Sequence, residues 1–107
     1  MTTETQQWIT VAAVEEVPPG ERLVVEIGRK WVAVFNINGV YYAIEDVCTH
    51  DDGPLAEGEL TGTTIECPRH GACFDVTNGK VLSAPAVVDV ATYPVRVQGS
   101  DLQVQSR

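Results

Sequence analysis

Apolar and polar positions alternate along most of the chain, in short runs bounded by turn residues. Trp8 to Val11, Leu23 to Ile27, Trp31 to Ile37 and Val40 to Ile44 are rich in Val, Ile and aromatic residues. Each predicts a β-strand. Pro18-Pro19-Gly20 breaks the chain between the first two, and Gly28-Arg29-Lys30 predicts a hairpin turn. Asn38-Gly39 predicts a type I′ hairpin, because both residues tolerate the positive φ that this turn requires. Alternation returns in Tyr93 to Gln98, and Gly99-Ser100-Asp101 turns the chain into Leu102 to Gln105. No segment predicts a helix of useful length, and there is no internal repeat or low-complexity tract.

The stretch from Glu45 to Ala86 breaks this pattern. It holds all five Cys and His residues together with Pro54, Pro68 and Pro85. Only short strands are predicted inside it, at Thr63 to Glu66, Phe74 to Val76 and Lys80 to Leu82, with a turn at Asn78-Gly79. Such a loop-rich stretch needs a clamp to be ordered. The expected architecture is all-β. Residues of about 8–44 and 87–106 pair into a scaffold that carries an inserted, loop-built unit of about 45–86, all within one domain spanning 1–107.

Size and charge narrow the function. A chain of 107 residues with 44% hydrophobic content suits one compact core. A net charge of −8 disfavours a nucleic acid backbone or an anionic membrane as partner. It favours docking on a basic protein surface. The polar start of the chain, residues 1–7, predicts no export signal, and no apolar run approaches the roughly 18 residues of a membrane span. Three cysteines, an odd number, in a chain expected to be cytoplasmic are better read as metal ligands than as a disulfide framework.

The candidate ligands are Cys48 and His50, followed after 16 residues by Cys67 and His70. Each of two loops thus supplies one thiolate and one imidazole. Two thiolates and two imidazoles can hold a [2Fe–2S] cluster, with both His on one iron. They can also hold a single zinc ion, although zinc ligand pairs usually read C-x₂₋₄-C and H-x₃₋₅-H. With two ferric ions, two sulfides and two thiolates, the oxidised cluster is neutral. It accepts an electron more readily than the all-thiolate form.

Cys48-Thr49-His50 with Cys67-Pro68-Arg69-His70-Gly71 resembles the Rieske signature. The flanking Ala72-Cys73-Phe74-Asp75-Val76 and Thr77-Asn78-Gly79-Lys80 resemble the ferredoxin branch of that family, as found in ring-hydroxylating dioxygenase systems. The resemblance implies stacked antiparallel sheets with a cluster-binding subdomain at one tip. It places Cys48 and Cys67 on an inner iron and His50 and His70 on an outer iron near solvent. A covering loop is implied at Ala84-Pro85-Ala86.

Departures from the respiratory branch of the family matter. Gly53 and Arg69 stand where that branch has disulfide-forming cysteines. Ala72 and Phe74 stand where it has hydroxyl donors to sulfur. Fewer donors destabilise the reduced state, and Asp51 and Asp52 add negative charge nearby, so the expected potential is low, around −150 mV. Cys73 is expected to be a buried small hydrophobe, and Trp8 and Trp31 to be packing residues.

Both histidines are used by the cluster, so no two-His-one-carboxylate iron site can be built for oxygenase chemistry. The expected role is therefore electron carriage without catalysis. A flavin or iron–sulfur reductase would be the donor, and an oxygenase or other redox enzyme the acceptor. Other roles compatible with the motif are a small subunit of a reductase such as nitrite reductase, an accessory protein of iron–sulfur assembly, and a non-redox zinc module.

Overall fold

The computed structural model describes residues 7–49 and 53–105. Among the described residues eleven strands form three antiparallel sheets. The first sheet holds β1 (Trp8–Ala13), β11 (Asp101–Gln105) and β10 (Val95–Gln98), in the order β1-β11-β10. The second holds β2 (Arg22–Ile27), β3 (Lys30–Ile37), β4 (Val40–Glu45) and β9 (Thr92–Tyr93), in that order. The third is built from β5 (Glu59–Thr61), β6 (Thr64–Glu66), β7 (Cys73–Asp75) and β8 (Val81–Ser83).

The second sheet is central because both of its faces are covered. Along β3, Val32 and Val34 join one buried cluster with Ala43, Val17, Leu102 and Val104. Ala33 and Phe35 join another with Ile44, Leu55, Ile65 and Phe74. This two-sided burial explains why Val32 to Phe35 is an unbroken apolar run. Full burial of each large side chain stabilises the fold by about 1.5–3 kcal/mol relative to exposure.

The Asn38-Gly39 hairpin forms with Ile37 opposite Val40 and positive φ at both turn residues, 55° and 90°. Asn36 is the one buried polar residue among those described, at 3% exposure. Its side-chain Nδ2 donates to the Val17 carbonyl at 2.8 Å, and its Oδ1 accepts from Gly39 N–H at 2.8 Å. Both ends of the amide are thus satisfied, which makes burial tolerable.

The all-β class and its stacked sheets agree with the sequence reading. Three details differ. β5 was not expected, because Glu59-Leu60-Thr61 has one apolar residue and no alternation to detect. Tyr93 to Gln98 is two strands in different sheets, since Pro94 interrupts the run and the chain crosses from β4 to β11 there. Trp31 is 54% exposed, at the solvent end of β3, and is no core residue. Trp8 is half-buried, with the Arg96 guanidinium 4.3 Å over its ring.

Candidate metal centre

Two loops and one covering segment meet beside the third sheet. The first loop leaves β4 at Glu45. Asp46 N–H donates to the Trp31 carbonyl at 2.8 Å, and Cys48 N–H donates to Gly53 O at 2.6 Å, closing the loop on itself. The second loop, 67–72, joins β6 to β7. Cys67 N–H donates to Ala72 O at 2.7 Å, and Gly71 N–H donates to Cys67 O at 3.1 Å. Gly71 has φ 80°, a conformation that side chains resist. A Cβ there would meet only Glu66 Oε2, at an ordinary 3.4 Å, so backbone angle rather than crowding calls for glycine.

The two cysteines are placed alike. Each is 1% exposed, and both belong to the cluster that contains Leu55, Ala72, Phe74 and Ala86. None of the three cysteines is in a disulfide. His70 lies at the surface. It borders an open concavity of about 630 Å³ together with Cys67, Pro68, Glu57, Glu59 and Glu66. His50, Asp51 and Asp52 lie outside the described residues. Among the described residues no three His, Cys, Asp or Glu side chains converge on one point. A binuclear cluster takes only two protein ligands on each iron.

The segment after the cis Ala84–Pro85 peptide supplies a further wall. Ala86 packs in the same buried cluster as the two cysteines. The Thr49 hydroxyl, between Cys48 and His50 in sequence, donates to the Val88 carbonyl at 2.5 Å. This tether escapes sequence reasoning because its acceptor is a backbone atom 39 positions away. Cys73 departs from expectation. It is half-buried, with Sγ 3.5 Å from the Gly71 carbonyl, and sits on β7 pointing away from the full burial of its neighbours Ala72 and Phe74.

The donor set fits a [2Fe–2S] group of mixed ligation. Two thiols are sunk in an apolar pocket, which would suit a cluster whose oxidised form has no net charge, and an imidazole stands at the rim, where it could hold an iron near solvent. Ala72 and Phe74, both fully buried in that same cluster, bring no hydroxyl to it.

This fold and donor arrangement define a small all-β iron–sulfur protein. The model of the Rieske [2Fe–2S] domain matches residues 7–94, and the chain belongs to that family. Its cofactor is one Rieske-type [2Fe–2S] cluster. The chain is 43% identical over 93 residues to the biphenyl dioxygenase ferredoxin subunit of a Pseudomonas species, covering 86% of this chain and 85% of that one. It is 38% identical over 94 residues to the ferredoxin component of the naphthalene 1,2-dioxygenase/salicylate 5-hydroxylase systems of a Ralstonia species, covering 88% and 90%. The ferredoxin of carbazole 1,9a-dioxygenase from Nocardioides aromaticivorans superimposes with a TM-score of 0.86 at 30% identity, covering 94% and 97%. Like these ferredoxins, the chain is an electron carrier and not a catalytic subunit.

Proposed function

We propose that this chain carries one electron at a time from a reductase to a terminal ring-hydroxylating oxygenase, with Cys48, His50, Cys67 and His70 as the cluster ligands. The observation that carries the reading is the contrast in burial between the two cysteines and His70. Cys48 and Cys67 anchor the group from the interior. His70 stands at the surface, where an electron has the shortest way out. His50 is assigned the matching role on the first loop from its place in the motif. When bound, the cluster supplies one-electron chemistry at a potential set by its ligands and their surroundings. Residues 1–107 act as one unit, in which about 8–44 and 87–106 are scaffold and about 45–86 hold the cluster.

The oxygenase partner is supported by the systems that the relatives serve and by a solved complex of reduced oxygenase and oxidised ferredoxin in carbazole 1,9a-dioxygenase. The ferredoxin of that complex is 37% identical to this chain, with a TM-score of 0.87. Glu57, Glu59 and Glu66 share the concavity that His70 borders. With the net charge of −8 they steer a basic partner surface toward this tip. A cytoplasmic setting agrees with the reduced thiols that the ligand role demands. Among the described residues no helix is long and apolar enough to cross a membrane.

The test is a stopped-flow experiment in which the reduced holoprotein is mixed with an oxidised terminal oxygenase. Reoxidation that slows as salt rises is expected. A holoprotein that is never reoxidised by any ring-hydroxylating oxygenase, yet exchanges electrons with another redox enzyme, would overturn the assignment of the acceptor.

A further inference from the structure

The two cysteine loops are far apart in sequence, and a turn at residues 55–58 stands between them. Leu55, fully buried, shares the cluster of Cys48 and Cys67. Ala56 N–H donates to Asp46 Oδ1 at 2.7 Å, and Asp46 lies two residues before Cys48. At the other end, Gly58 lies so close to the carbonyl of Glu66 that a Cβ would collide with it, and Glu66 immediately precedes Cys67. Gly58 N–H closes the turn onto Leu55 O at 2.9 Å. The turn is therefore in contact with the approach to each cysteine.

One side chain from the scaffold holds this turn. Arg22 Nη1 donates to Ala56 O at 2.7 Å and to Gly58 O at 2.8 Å. Arg22 opens β2, opposite Phe35 in the register, and its guanidinium lies 5.5 Å over the Phe35 ring. Phe35 is fully buried in the cluster that contains both cysteines. The planar guanidinium, stacked on a fixed ring, presents its N–H groups at a set angle, which a rotating ammonium does not.

We propose that Arg22 is a positioning residue for the metal centre. Through the 55–58 turn it ties the Cys48 and Cys67 loops to the central sheet and sets their separation. Asp46 completes the bracket from the first loop. The proposal rests on the reading of Cys48 and Cys67 as ligands. The bonds of Arg22 and Asp46 go to backbone atoms of Ala56 and Gly58 and not to either cysteine. Both act by fixing backbone that leads into the two thiolates, as outer partners of metal ligands do.

The experiment compares holoprotein of the parent, Arg22→Gln, Asp46→Ala and the double variant. The readouts are the rate of iron release to a chelator, the EPR line shape of the reduced cluster and the thermal midpoint. Each single substitution is expected to speed release about tenfold and to broaden the reduced EPR signal, the low end for partners outside the first ligands. The double variant is expected to add less than about threefold, because both changes free the same turn. A lowered thermal midpoint with parental release and EPR would show a merely structural role and overturn the proposal. Fully multiplicative effects would also overturn it. If Arg22→Gln does not accumulate, Arg22→Lys replaces it, and release at the parental rate is then the contrary result. A parent protein with no Rieske spectrum would refute the ligand reading instead, whereas inert Arg22 variants of a protein with that spectrum refute only the bracket.

Discussion

The central sheet and the cluster tip are held together in different ways. The central sheet has long hairpins, with six register pairs between β2 and β3 and six between β3 and β4, and apolar packing on both faces. The tip has strands of three residues, and its loops are fastened by single backbone bonds and a few side-chain tethers. Short antiparallel strands of this kind are marginal by themselves. The lesson is a division of labour. Packing covers the central sheet on both faces, whereas the tip packs against one of those faces and is expected to draw part of its order from the group it binds.

That contrast is broken most directly by removing a ligand. Cys67→Ser, or Cys48→Ser, is expected to abolish the cluster entirely. Amide exchange should then accelerate across 59–83 while β2, β3 and β4 stay protected. Equal loss of protection in both regions would contradict the division.

The next largest effect comes from the residue that both regions share. Phe35→Ala should destabilise the whole protein by about 3–5 kcal/mol, because the cavity would open at the contact between sheet and tip. Chemical denaturation of the holoprotein measures it, and a cost below about 1 kcal/mol would mean that the two regions are not packed as one core.

A change confined to the scaffold follows. Asn36→Ala removes the side-chain acceptor of the Gly39 N–H and leaves the Val17 carbonyl with the Tyr41 hydroxyl alone, at 3.1 Å. About 1–3 kcal/mol is expected to be lost, with the iron-release rate unaltered. Faster release would show that the scaffold's polar network reaches the metal.

The smallest stability effect but a directional electronic one comes from the tip. Ala72→Ser with Phe74→Tyr restores the two hydroxyls found in the respiratory branch. The potential should rise, because donors to sulfur stabilise the reduced state. Redox titration reads the shift, and an unchanged potential would show that the new hydroxyls do not reach sulfur.

The scaffold was largely legible in the sequence. Asn38-Gly39 named its own turn, and the Val-, Ile- and aromatic-rich run Trp31 to Ile37 marked a strand, although not that both of its faces are covered. Strand pairing inside the tip was less so, because Glu59-Leu60-Thr61 is too short and too polar to show a period. Pro94 hid a change of sheet within what reads as one strand. At the site, the proposed ligands stand out in the sequence by residue identity and spacing. Their fastening did not. Arg22, Asp46 and Thr49 act on backbone atoms, and a backbone atom carries no residue-type signal that spacing could reveal.

The central claim is that two cysteines and two histidines hold one binuclear cluster at this tip. Nitrogen hyperfine spectroscopy of the reduced protein tests it most directly. Two imidazole nitrogen couplings are expected in the parent, and the signal should be lost or reduced to one coupling in His50→Cys and in His70→Cys. A reduced signal with no imidazole coupling, or one left intact by either substitution, would contradict the account.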